Sequence, residues 1–217
     1  MNKTVRATHP GNDPAASENV SEDALPQQLF DADCIQFGTF TLKSGLTSPV
    51  YIDLRLLASH PALLRDVARE MAAYARDLTF DRIAAIPLAG LPIGTAMALE
   101  MNRPMIYPRP EVKAHGRQRA IEGEFASGET ALVVDDLITR GTSKIEAIEP
   151  LKEAGLTVQD VLVLIDREQG GVDDMAQQGY RLHALLKFTD ILDALEESGR
   201  ITTEQHEKVL DYLKPKT

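Results

Sequence analysis

Short apolar runs at 83–86, 105–107, 131–134 and 161–165, with a fifth at 182–186 broken only by His183, constrain this chain more than any other feature. A strand with one face in water alternates apolar and polar residues, whereas a continuously apolar strand has both faces covered. Helical stretches at 93–101, 144–154 and 172–178 lie between the runs, where they supply that cover and the crossovers that parallel pairing needs. The pattern predicts an α/β fold: a central, mostly parallel sheet with helices on both faces. Pro150 inside the 144–154 stretch predicts a kink or an early end there.

Upstream, the sequence predicts a short helix over 24–35 and two strands, 38–43 and 50–55, around a Ser-Gly…Ser-Pro turn. Ser59 and Pro61 signal a helix start, and Leu63, Leu64, Val67, Met71, Tyr74 and Leu78 recur at helical spacing to about 78. Helices over 190–197 and 203–213 close the chain. Residues 1–22 are polar and lack the apolar centre of a signal peptide, and are read as a disordered tail. The remainder, 23–217, is read as one domain: an N-terminal part at 24–58, a core at 59–187 and C-terminal helices at 188–213.

Nothing charged lies between Arg82 and Glu100, but Pro87, Gly90, Pro92 and Gly94 break that stretch, so a membrane span is not expected. The net charge of −10 argues against nucleic acid or an anionic membrane as partner. One cysteine, Cys34, excludes an internal disulfide and points to a reducing, cytoplasmic location. His9, His60, His183 and His206 show no metal-ligand spacing.

In sheets of this kind ligands bind beyond the carboxyl ends of the strands. The run at 131–134 ends in Asp135 and Asp136, and Leu137, Ile138, Thr139, Arg140, Gly141, Thr142 and Ser143 lead into a helix. Amide groups at a helix N-terminus and the hydroxyls of Thr139, Thr142 and Ser143 suit a phosphate, and Gly141 lets the backbone approach it. The two carboxylates suit sugar hydroxyls, a metal or a developing positive charge. Phosphate beside hydroxyls describes a ribose 5-phosphate. A second unusual segment, 109–119, carries Arg109, Lys113, His115, Arg117 and Arg119 against one acid, Glu111, a local anion funnel in an acidic protein.

The 131–143 run resembles the motif that binds phosphoribosyl pyrophosphate (PRPP) in type I phosphoribosyltransferases, and 109–116 resembles the catalytic loop of the orotate phosphoribosyltransferases. Two further stretches are similar to the same family: 40–55, with Lys43, Tyr51 and Ile52, and Asp166-Arg167-Glu168-Gln169-Gly170-Gly171. The second places the chain beside the transferase half of UMP synthase. The resemblance implies the type I phosphoribosyltransferase fold with a small N-terminal hood. It implies transfer of phosphoribose from PRPP to orotate, giving orotidine 5′-monophosphate, with Mg²⁺ held mainly by PRPP and water and by no protein ligand set. It implies PRPP contacts at Arg109, Lys113, His115 and 135–143, catalytic roles for Lys113, His115 and Asp136, and orotate contacts at Lys43, Tyr51, Ile52, Thr139 and Arg167. It also implies a homodimer whose catalytic loop acts in the neighbouring subunit.

Two departures stand out. Pro110 replaces the family's second basic loop residue, and Arg140 stands where a small residue is usual. Alternatives left open at this point are a transferase for another base and a regulator that senses PRPP or a nucleotide on the same fold.

Overall fold

The computed structural model describes residues 24–41, 45–109 and 120–214. A helix, α1 (Ala24–Asp31), leads into an antiparallel pair, β1 (Ile35–Thr41) and β2 (Thr47–Ile52). A 3₁₀ turn at Leu54–Ser59 and α2 (Pro61–Ala75) follow. Then come β3 (Arg82–Ala85), α3 (Gly90–Met101), β4 (Met105–Pro108), β5 (Ile121–Glu122) and β6 (Thr130–Ile138). The chain continues through α4 (Thr142–Glu153), β7 (Thr157–Asp166), α5 (Gly171–Gln177) and β8 (Arg181–Lys187) to α6 (Phe188–Glu197) and α7 (Thr203–Leu213).

The main sheet has the order β5-β4-β3-β6-β7-β8 and is parallel except for β5. Its apolar strands are sorted by the two-residue period of a strand. Leu132, Val134, Leu162 and Leu164 pack with α1, α2, α3 and α6 in one core. Val133, Val161 and Val163, one position over, pack with Ile148 and Leu151 of α4 and Met175 of α5 in the other. Both faces are therefore covered, as the uninterrupted apolar runs require. Among the described residues no helix is long and apolar enough to cross a membrane.

Several expected boundaries move. The first helix stops at Asp31 because Asp33 takes φ +58° and the Cys34 N–H turns back to the Leu29 carbonyl at 2.9 Å. The hood strands accordingly start three residues early. His60, not Ser59, occupies the cap position of α2, and Pro61 is its first residue. Pro150 does not end α4, which runs to Glu153. It deprives only the carbonyl of Glu146, an exposed residue that water can serve. The strand expected at 131–134 extends to Ile138, so the acidic pair lies within β6, not in a loop. The two-residue β5 was not anticipated. The expected tail (1–22), Lys43, Pro110, Lys113 and His115 lie outside the described residues.

Candidate functional site

At the carboxyl ends of β3 and β6 a cleft of about 440 Å³ opens, lined by Ile52–Arg55 behind the hood, Ile86–Ala89 after β3, Asp135, Asp136, and Ser143 and Lys144 of α4. A larger hollow of about 540 Å³, beside β5 and the end of α4, is lined by Ala120, Ile121, Gly123, Glu124, Phe125 and Ala154. With one ionisable group it offers little for chemistry, whereas the smaller cleft gathers cations and carboxylates from four segments.

Asp135 is the buried wall of the cleft. Its carboxylate is ion-paired with Lys144 and accepts the Asp136 N–H at 2.8 Å. Burial pushes the Asp135 carboxyl up to about 7; the Asp136 carboxylate beside it adds to this, and the Lys144 ammonium opposes it. Gly90 makes the arrangement possible, since a Cβ there would lie 2.8 Å from Asp135 Oδ1 and 3.0 Å from the Val134 carbonyl oxygen. Asp136, half-buried, has no ion-pair partner among the described residues. Across the cleft, Arg55 donates to Asp53 through Nε and Nη2, both at 2.6 Å, and to the Tyr51 hydroxyl at 3.3 Å.

The loop after β6 bends directly into α4. Gly141 caps the helix with its backbone and no side-chain bond, and Thr142 and Ser143 are exposed at the first turn. Next to it, the β7–α5 segment is braced within itself and against α6: Asp166 accepts the Glu168 N–H at 2.8 Å, and Glu168 accepts the N–H of Thr189 in α6 at 2.9 Å. Its Arg167 is tied to the end of β6 by a backbone bond to the Ile138 carbonyl at 2.9 Å. The Arg167 Nε is buried without a hydrogen-bond partner. Desolvation lowers this arginine's pKa, and a hydrogen bond with Tyr212 of α7 opposes the shift.

The sequence reading and the cleft agree on Ile52, Asp135, Asp136 and Ser143. Tyr51, exposed, stacks its ring on Phe40 with centroids 5.5 Å apart. Arg109 sits where β4 and β5 pair, its backbone N–H on the Ala120 carbonyl and its Nη1 2.9 Å from Glu122. Lys144, Arg55, Asp53 and 86–89 were missed. One signal for Lys144 was available: a cation in the first turn of a helix opposes the helix dipole and calls for a nearby carboxylate. Cys34 is fully buried, and burial followed by the charge of Asp53 raises its thiol to about 11, consistent with a packing role.

No protein-family model matches the chain. Relatives do. The bifunctional enzyme PyrF/PyrE of Nostoc sp. is 48% identical over 178 residues, 82% of this chain and 37% of that protein. The orotate phosphoribosyltransferase of Caenorhabditis elegans is 33% identical over 217 residues, 97% of this chain and 96% of that protein. The solved UMP synthase of Leishmania donovani superposes with a TM-score of 0.82 at 43% identity, over 90% of this chain and 42% of that one. The chain thus spans about two fifths of PyrF/PyrE and of the uridine 5′-monophosphate synthase of Bos taurus, and nearly all of the orotate phosphoribosyltransferase of Caenorhabditis elegans. An acidic pair on the strand before a glycine-capped helix start, inside this fold and at this identity over almost a whole relative, places the chain in the orotate phosphoribosyltransferase family.

Proposed function

We propose that the protein transfers the 5-phosphoribosyl group of PRPP to orotate, releasing pyrophosphate and forming orotidine 5′-monophosphate. The observation that carries this reading is the cleft itself, where Asp135 and Asp136 stand one loop away from the α4 N-terminus. The amide groups at 139–143 take the 5-phosphate. Asp136, backed by Asp135, takes the ribose hydroxyls and faces the sugar as it becomes cation-like. The C1–O bond breaks with its electron pair leaving on pyrophosphate, and orotate N1 bonds to C1 in its place, its N1–H proton passing to the released pyrophosphate or to water.

Arg109, Lys113 and His115 serve the leaving group, and Lys43 and Arg167 hold the anionic base; a planar guanidinium suits a carboxylate in two-point contact. Arg167 is held beside the end of β6 by its backbone bond to the Ile138 carbonyl. Magnesium fits the cleft as a substrate-borne ion. Asp53 is held by Arg55 and Asp135 by Lys144, which leaves Asp136 as the lining carboxylate without a cation among the described residues. A single carboxylate suits an ion that keeps phosphate oxygens and waters as ligands and neutralises the pyrophosphate. Among the described residues no group of three or more His, Cys, Asp or Glu could hold a metal alone.

The test is to mix the protein with orotate, PRPP and Mg²⁺ and follow orotate's near-UV absorbance. Loss that needs both PRPP and Mg²⁺ is expected; PRPP binding without orotate loss would move the reading to another base or to a sensor. Lys113→Ala should lower turnover about 10²–10³-fold. In a homodimer with shared sites, mixing the Lys113→Ala and Asp136→Ala proteins restores activity, and no restoration would refute sharing. A reducing, cytoplasmic location fits the single buried thiol.

A further inference from the structure

Arg140, the residue that departs from the family's phosphate loop, is anchored. Its Nε lies 2.9 Å from Asp174 Oδ2 and its Nη2 donates to Asp174 Oδ1 at 3.2 Å, while Nη1 donates to the Gln169 carbonyl at 3.3 Å. The same Asp174 Oδ2 accepts the N–H of Gly141 at 3.0 Å. Glycines make the fit tight on both sides. A Cβ on Gly141 would come within 2.8 Å of Asp174 Cβ, and one on Gly170 within 2.9 Å of Arg140 Nη1. A carboxylate from α5 therefore occupies a backbone donor at the α4 N-terminus, with a guanidinium balancing its charge.

A phosphate bound at that N-terminus needs the same donor and carries the same sign of charge, so carboxylate and phosphate exclude one another. Arg140 has 65% of its side chain exposed, so the guanidinium can turn toward a ligand, and Asp174, 22% exposed, has to swing off the Gly141 N–H for a phosphate to take that donor. We propose that Asp174 competes with the substrate's 5-phosphate for the Gly141 N–H and for Arg140, so that phosphate binding turns the carboxylate aside and transfers the arginine to the phosphate. The inference rests on the phosphate-site reading above. It makes the Arg140–Asp174 pair a determinant of PRPP affinity that is particular to this chain's departure from the usual loop.

The experiment measures ribose 5-phosphate binding by calorimetry to the wild type, Asp174→Asn and Arg140→Ala. Asp174→Asn keeps the shape and removes the competing charge, so affinity should rise about tenfold, the scale of one charge-assisted hydrogen bond. Arg140→Ala removes a phosphate ligand, so affinity should fall by about the same factor. Opposite signs are the expected result. If the pair only braces the loop, both variants weaken binding, and that shared sign overturns the proposal; Arg140→Ala binding as well as the wild type overturns it also, even if Asp174→Asn fails to fold. A wild type that binds no ribose 5-phosphate would overturn the phosphate site itself, whereas binding with both variants shifted the same way overturns this inference alone.

Discussion

The two ends of the main sheet use their charged side chains differently. At the amino end, Arg82 at the start of β3 is bound to Glu129 and to the Glu124 carbonyl, and Glu129 also accepts the Ala126 N–H at 2.6 Å. Two strands away, Asp160 accepts from Arg181 through Nε and Nη2, both at 2.7 Å, and lies 2.8 Å from His183 Nε2, whose Nδ1 meets the Tyr74 hydroxyl at 3.2 Å. In these networks each carboxylate has its cation, although Arg82 Nε is buried without a hydrogen-bond partner. At the carboxyl end Asp136 has none among the described residues, and Asp135 is held above its ordinary pKa. Charge closed on itself holds strands in register; charge left incompletely answered is available to a ligand.

The largest expected effect breaks the carboxyl end alone. Asp136→Ala should lower turnover about 10²–10³-fold, with unfolding free energy changed by less than about 0.5 kcal/mol because the side chain supports no ion pair. Its counterpart, Asp160→Ala, should leave turnover near normal while costing about 1–3 kcal/mol in chemical denaturation, the scale of lost hydrogen bonds to charged groups. Gly90→Ala lies between the two. Its methyl meets both Asp135 and the β6 backbone, so about 1–3 kcal/mol of stability and a clear part of the activity should be lost together.

The ends also titrate with opposite sign. Asp160 is lowered from its ordinary 3.8, by Arg181 first and also by His183. Its contribution is present above the unfolded value and is lost as pH falls through the folded one. Asp135 is raised, so its contribution is present below about 4 and is lost as pH rises toward about 7. Denaturation across pH should therefore show Asp160→Asn flattening the acid limb and Asp135→Asn flattening the limb between the two values; the reverse assignment would contradict the contrast. The smallest effect is at the far end of α3, where Asn102 caps the helix at φ +49°. Asn102→Gly should be neutral or stabilising by a few tenths of a kcal/mol with activity unchanged.

Much of this was legible before the structure. The apolar runs gave both faces of the sheet, and the 131–143 stretch gave the acidic pair and the helix start that follows it, because strand period and helix-start chemistry act between near neighbours in sequence. What stayed hidden depends on partners brought together by folding. Arg140 and Asp174 are 34 residues apart, and Asp53 and Arg55 enter the cleft only because the hood folds back over β3 and β6. Lys144 was read as a helix residue without a role, since its pairing with a buried Asp135 requires β6 to extend past the apolar run. The two-residue β5 is too short for any periodicity to mark it.

The most direct measurement follows orotate consumption and pyrophosphate release together in the wild type, Asp136→Ala and Asp160→Ala, with PRPP and Mg²⁺ present. Equal amounts of orotate consumed and pyrophosphate released are expected, at similar rates in the wild type and Asp160→Ala, with both processes nearly abolished in Asp136→Ala. Pyrophosphate release without orotate loss, or activity that survives in Asp136→Ala and fails in Asp160→Ala, would contradict the assignment of phosphoribosyl transfer to the carboxyl end of the sheet.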